Sequence, residues 1–370
     1  MIYLDAHATT PVLPVVFEAM EPYFCTHFGN ASSEHPWGWK ATGAVTKAKA
    51  QMAELLDCSP SNLFITSGAT ESIHWVLMGW TQAHSNGHII TSNVEHKATY
   101  GAGKWAQRLG AQWSTVPVET NGAVTLAAIK SIIKEGVPNL ITLIHGNNEI
   151  GTLNPIQEIC DYFATKDNVQ IHLDCAQTVG KIPISFEKLG ADFISFSGHK
   201  LYAPKGIGAL LIKEPKSLPP LFLGGGQQSG RRAGTLNVPA IVGLGTACHW
   251  CHTNMASEAQ RLTDLRDLVI TQLTSMEGVN LNGDPVYRLP HNINLTFKKV
   301  SMDRLLLGLP GIGFSGSSAC SSGSGEPSHV LSAIGLTPAD TRSTIRFGLG
   351  HSTTLEQVQE VIEKIKGLHS

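Results

Sequence analysis

Asp192-Phe193-Ile194-Ser195-Phe196-Ser197-Gly198-His199-Lys200 is the stretch that decides the fold. It opens as a short apolar run of strand type and breaks into Ser, Gly, His and Lys, which places Lys200 just past the carboxyl end of a strand. A second turn, Leu201-Tyr202-Ala203-Pro204-Lys205-Gly206-Ile207-Gly208, stands behind it. Open α/β sheets keep their chemistry at that edge, and a lysine held there is suited to a covalent link with a carbonyl cofactor. A solvated surface lysine is the competing reading of the same stretch.

Upstream, the same unit repeats. Leu63-Phe64-Ile65-Thr66 reads as a strand and Ser67-Gly68-Ala69-Thr70-Glu71 opens a helix to about Gln82. His88 to Thr91 runs to Glu95-His96 and a helix; Leu140 to Ile144 runs to Asn147-Asn148-Glu149; Val169 to Leu173 ends in Asp174. Strand, polar turn and helix in alternation predict a mainly parallel sheet covered on both faces. Parallel pairing would gather Thr70, His96, Asn148, Asp174 and Lys200 on one rim. Before this series, a helix is expected from Pro14 to about Tyr23 and a long one from Trp37 to Leu56. After it come a helix from about Pro239 to Leu273, strands at Val279 to Leu281, Ile293 to Phe297 and Thr344 to Phe347, and a closing helix from Leu355. That second set predicts a smaller α+β domain.

The 370 residues, 42% hydrophobic and 15% charged with a formal charge of −2, can bury a large core and show no basic excess for nucleic acid. No apolar run reaches the roughly 20 residues that span a bilayer, and no export signal is legible, so a cytoplasmic protein is expected. Seven scattered cysteines do not read as a disulfide framework. Cys248-His249-Trp250-Cys251-His252 has the spacing of a covalent haem site, but it falls within the long predicted helix, where buried thiols are the better reading.

Each candidate has a plain alternative. Ser67 to Thr70 at a helix start offers N–H groups and a hydroxyl to a phosphate, or an ordinary cap. Ser197, His199 and the Gly234-Thr235 turn add donors. Asp174 can pair with a protonated pyridine nitrogen of pyridoxal phosphate or cap a turn. Gln177 can donate to that cofactor's phenolic oxygen, and His96 can lie over its ring or be structural. Asn148 can bind polar groups or make an Asx turn. Arg346 offers a fork to a substrate carboxylate, or a surface or interdomain ion pair. Cys320, flanked by Ser317-Ser318-Ala319 and Ser321-Ser322-Gly323 in a Gly/Ser-rich loop, is suited to nucleophilic attack or to carrying sulfur.

Together these stretches resemble the NifS-like cysteine desulfurases, fold-type-I pyridoxal-phosphate enzymes. The resemblance runs in order through Tyr3-Leu4-Asp5 with Ala8-Thr9-Thr10-Pro11, Thr66 to Ser72, Glu95-His96-Lys97, Asn148 to Gly151, Asp174 to Gln177, Ser197 to Lys200, Gly234 to Leu236, Ser318 to Ser322 and Ile345-Arg346. It implies a large cofactor-binding domain over residues 12–250, with a seven-stranded type of sheet, and a small domain from 1–11 and 251–370. It further implies that Lys200 carries the cofactor and moves the α-proton of L-cysteine, assisted by His96, and that Cys320 takes the substrate sulfur as a persulfide, leaving alanine. Asp174 and Gln177 would tune the ring; Ala69, Thr70, Ser197 and His199 would hold the phosphate. Thr235 would reach the phosphate of a second copy in a homodimer, and Arg346 with Asn148 would bind the substrate carboxylate. A sulfur acceptor or iron–sulfur scaffold protein is the implied partner, with Cys320 at most a transient iron–sulfur ligand and no resident metal.

Two departures stand out. Gln227-Gln228-Ser229 replaces the His-Glu-Arg or Gln-Glu-Arg of many relatives, and a C-terminal extension that grips a scaffold is not seen. A selenocysteine lyase, another β-eliminating lyase and an idle sulfur-relay subunit are the alternatives.

Overall fold

The computed structural model describes residues 1–316 and 327–369; Cys320 therefore lies outside the described residues. Seven strands form the main sheet, in the spatial order Leu63–Thr66, Gly208–Ile212, Phe193–Ser197, Val169–Asp174, Asn139–Ile144, His88–Ser92 and Gln112–Val116. Five neighbouring strands, from Phe193–Ser197 to Gln112–Val116, pair in parallel, and Gly208–Ile212 runs antiparallel to both its neighbours. This strand is absent from the sequence reading, because Gly206 and Gly208 make Lys205 to Gly208 look like a turn and the following Ala-Leu-Leu lacks the β-branched and aromatic residues that mark a strand.

Nearly all residues of the central strands are buried, as a sheet covered on both faces requires. One face packs under the helices Pro36–Leu56 and Val238–Thr274, with Met52, Leu56, Ile241 and Leu244 in a shared core. The other lies under Ala69–Ala83 and Lys97–Arg108, where Trp75 and Trp80 are each 1% exposed. Truncating a tryptophan buried this way costs about 3–5 kcal/mol.

A four-stranded antiparallel sheet, ordered Ser315–Gly316, Thr344–Gly348, Asn292–Phe297 and Val279–Leu281, has its own core with Leu265, Val269, Val361 and Ile365. The helix Val238–Thr274 is unbroken through residue 250 and feeds both cores: its Ala247 and Cys251 pack with the first, its Leu262 and Leu273 with the second. Cys248 and Cys251 are fully buried, and burial pushes the Cys251 thiol up to about 11, so the haem-like spacing marks helix packing.

Residues Ile2–Tyr3 pair in parallel with Ile312–Gly313, and Asp5 bridges Gly348. Gln228, in the unusual Gln227-Gln228-Ser229 segment, finishes one edge of the seven-stranded sheet. Its amide accepts from Ile65 N at 2.5 Å and donates to Ile65 O at 2.9 Å, so a side chain satisfies the backbone of edge strand Leu63–Thr66. Gln227 Oε1 accepts from Gly234 N at 3.1 Å, tying the Thr235 loop to the same edge. Among the described residues no helix is long and apolar enough to cross a membrane.

Candidate active site

Five strand ends deliver the expected residues to one cleft of about 510 Å³, lined by Thr70, His96, Asn148, Asp174 and Lys200 together with Ala69, Gln177, Ser197, His199 and Arg346. Thr235 is exposed on the loop before Val238–Thr274 and does not line this cleft.

At one end, helix Ala69–Ala83 starts after Gly68, whose φ of 151° suits a glycine. A Cβ on Gly68 would come to 3.2 Å from Ser197 Oγ, so a side chain there would crowd the cradle. Ala69 N donates to Ser197 Oγ at 2.7 Å. Thr70 is exposed to the cleft, and His199 meets Thr9 Oγ1 at 3.1 Å through Nδ1. Burial, with Lys200 and Lys205 nearby, lowers His199 to about 4, so it is a neutral ring. A helix N-terminus with hydroxyl and ring donors around it receives an anion such as a phosphate.

In the middle, Asp174 is 3% exposed, and Ala176 N donates to its Oδ1 at 3.0 Å. Burial raises its pKa, opposed by His96, the Ala176 N–H and Lys200. A carboxylate sunk in a cleft wall calls for a cation against it, since burying such a charge alone is costly. A protonated pyridine ring meets that need, so the donor set fits pyridoxal phosphate. His96 Nδ1 accepts from Ala98 N at 3.1 Å and caps helix Lys97–Arg108, which leaves Nε2 as the protonated nitrogen of the neutral ring. Its ring opens onto the cleft yet is enclosed by protein, and the loss of hydration lowers its pKa. Lys200 Nζ donates to the carbonyls of His7 and, at 2.7 Å, Ala8.

At the far end Arg346 lines the cleft and forms an ion pair with Asp5, both in the part of the chain expected to form the small domain. Its Nη2 donates to Asp5 Oδ1 at 3.0 Å and to Ser315 Oγ at 3.1 Å, and its Nη1 to the Asn148 carbonyl at 2.9 Å. Asn148 thus meets Arg346 through its backbone, while the neighbouring Asn147 side chain makes the Asx turn to Glu149 N and Ile150 N.

Sequence reasoning passed over Asp5, His7, Glu95 and Glu149, all of which line the cleft. Glu95 is buried, its Oε1 accepts from Ser92 Oγ at 2.6 Å, and desolvation raises it to about 8. Glu149 Oε2 accepts from Ser328 Oγ at 2.5 Å, and His329 Nε2 meets the Glu95 carbonyl at 2.9 Å, so residues 328–329 are pinned to the cleft wall. The one available signal was adjacency: Glu95 and Glu149 sit beside His96 and Asn148 in turns already marked. Among the described residues no group of three or more His, Cys, Asp or Glu side chains is placed to hold a metal.

The family model described as aminotransferase class-V matches residues 2–361. A protein named cysteine desulfurase IscS 1 from Archaeoglobus fulgidus is 38% identical, covering 100% of this chain and 97% of the relative. A cysteine desulfurase IscS from Dictyoglomus turgidum is 40% identical, over 99% of this chain and 95% of its own. A solved structure titled NifS-like protein superposes with a TM-score of 0.92 at 33% identity, covering 99% of this chain and 98% of the other.

Proposed function

The chain belongs to the class-V aminotransferases, and on that premise we propose how its residues perform the work of a pyridoxal-phosphate-dependent cysteine desulfurase. It is a cysteine desulfurase, with relatives of that name along its whole length. The convergence of Lys200, Asp174, His96 and Arg346 on one cleft carries the assignment of roles.

Pyridoxal phosphate supplies an aldehyde that takes up an amine and a cationic ring that withdraws electrons from the bonds at the α-carbon. Lys200 Nζ would hold it and would move the α-proton of bound L-cysteine; the His7 and Ala8 carbonyls supply a resting place for that nitrogen. Asp174 would keep the proton on the pyridine nitrogen, Gln177 would donate to the ring oxygen, and His96 would assist at the ring. Ala69 N–H, Thr70, Ser197 and His199 would hold the phosphate, the Ala69 N–H turning to it from Ser197 Oγ. Arg346, oriented by the Asn148 carbonyl, binds the substrate carboxylate. The thiolate of Cys320 attacks the substrate sulfur: a sulfur–sulfur bond forms, the carbon–sulfur bond breaks, and its electron pair returns to carbon, where protonation completes alanine.

We assign residues 12–250 to the cofactor-binding unit and 1–11 with 251–370 to the smaller one, a division supported by the separate cores of the two sheets. The active form is a homodimer in which Thr235 reaches the partner's phosphate. Supporting this, Phe17, Phe24, Phe28, Trp37 and Trp39 are all exposed, on segments that pack around the start of the helix following Thr235. Sulfur passes from Cys320 to an acceptor or iron–sulfur scaffold protein, in the cytoplasm.

The test is incubation with L-cysteine, with and without a thiol reductant, comparing alanine and sulfide from wild type and Cys320→Ala. Alanine from the wild type alone, with sulfide appearing only with reductant, is expected. Equal alanine from both would refute the persulfide route and favour a Lys200-dependent lyase.

A further inference from the structure

Beside the cleft, four buried side chains form a hydrogen-bond series with a single direction. Arg288, which can only donate, gives an Nη2–H to Asn292 Oδ1 at 2.9 Å. Asn292 Nδ2 then donates to the Glu149 carbonyl at 3.0 Å and to His7 Nε2 at 3.0 Å. His7 Nε2 is therefore an acceptor, and the neutral ring carries its proton on Nδ1. That Nδ1–H meets Gln177 Oε1 at 3.0 Å. Gln177 is the last link: one Nε2–H goes to the His7 carbonyl at 3.2 Å, and the other remains for the cleft that Gln177 lines. Arg288, Asn292, His7 and Gln177 are all 5% exposed or less, so water does not substitute for these partners.

Each orientation is dictated by the one before. A guanidinium has no acceptor, so Asn292 cannot turn over. With Asn292 set, His7 has one tautomer. A reversed Gln177 amide would bring its Oε1 against the His7 carbonyl and its N–H against Nδ1–H, two mismatches in a dry site. Burial holds the His7 pKa well below its ordinary value; the Arg346, Lys200 and Lys181 cations add to this, and the Gln177 bond opposes it. The ring stays neutral, stacked on His291 with centroids 4.4 Å apart.

We propose that His7 is a positioning residue, which fixes the Gln177 amide so that an N–H, and not the carbonyl oxygen, is presented to the cofactor's ring oxygen. The inference rests on the reading of Gln177 as a donor given above. His7 acts through Gln177, touching it with both ring and backbone, while its carbonyl also receives Lys200.

Nitrogen-15 NMR of the cofactor-free protein, labelled at histidine, reads the tautomer directly. An Nδ1–H ring at His7 is expected, and an Nε2–H ring overturns the proposal. This measurement needs no variant, so it decides the matter even where a substitution prevents folding. In the loaded enzyme, the pH midpoint of the visible absorption band is then followed in His7→Leu, His7→Asn and Gln177→Leu. The midpoint is expected to rise by about one unit in His7→Leu and in Gln177→Leu, because a ring oxygen deprived of a donor holds its shared proton more strongly. His7→Asn, whose Nδ2–H stands near the former Nδ1–H, is expected to return it towards wild type. A shift in Gln177→Leu with none in His7→Leu refutes the role of His7 and leaves Gln177 as the donor. No shift in either refutes the reading of Gln177, and the inference with it.

Discussion

Asp5→Asn separates two functions of one ion pair. The Asp5 carboxylate accepts from Arg346 Nη2 at 3.0 Å and from Ser315 Oγ at 2.9 Å, and the Arg346 side chain is only 6% exposed. Asparagine keeps an oxygen for both donors but removes the charge. A charge-assisted bond exceeds a neutral one by roughly 1–2 kcal/mol, so the cofactor-free protein is expected to lose about that much stability. Substrate binding moves the other way. Two carboxylates sharing one guanidinium lie roughly 5–6 Å apart, where their repulsion is about 0.8 kcal/mol in water and about 3 kcal/mol in a medium of dielectric near 20. The cleft is open to solvent, so the gain is set near 1 kcal/mol, about a fivefold fall in KM for L-cysteine at unchanged kcat. Alanine formation under initial-rate conditions gives KM and kcat, and urea unfolding gives the stability. A KM that rises, or stays constant while stability falls, would refute the idea that Asp5 competes with the substrate for Arg346.

Arg346→Lys keeps the charge but loses the fork, and is expected to raise KM by tenfold or more with a smaller effect on kcat, read in the same assay. The raised pKa of Glu95 makes stability depend on pH: between about pH 4.5 and about 8 the folded protein holds a proton that the unfolded chain has released. Stability contributed by that proton is therefore lost as pH rises across the window, by up to about 1.4 kcal/mol per unit, and levels off above it. Urea midpoints measured across the window should flatten in Glu95→Gln; an unchanged slope would exclude Glu95 as its source. Trp37→Glu combined with Trp39→Glu is expected to yield monomers in sedimentation velocity, with weakened phosphate retention, and an intact dimer would move the interface elsewhere.

Much of this site was legible because apolar runs ending in polar turns mark the carboxyl edge of a parallel sheet without reference to anything distant. Leu63–Thr66 and Val279–Leu281 fall where the sequence placed them, and Thr70, His96, Asp174 and Lys200 follow from that register. His7 did not stand out, since its partners lie 170 and 285 positions away and nothing local marks it. Asp5 was visible within a motif but not as the partner of Arg346, a pairing that only the small sheet creates. Gln228 was seen as a departure; its use, closing a strand edge, needed the sheet order to be known.

Residues 2–7 are held by strands made some three hundred residues later: Ile2 and Tyr3 by Ile312–Gly313, Asp5 by Gly348, His7 by Asn292. During synthesis the main sheet and its helices can collapse once the ribosome has passed Thr274; His7 can then meet Gln177 and Lys200, while Ile2, Tyr3 and Asp5 still lack the strands that hold them. The cleft therefore gains Arg346 and its counter-ion Asp5 only after the last strand has emerged. A nascent chain stalled before residue 344 would expose a cleft that lacks Arg346 and the Asp5 that Gly348 bridges, with its far end unbuilt.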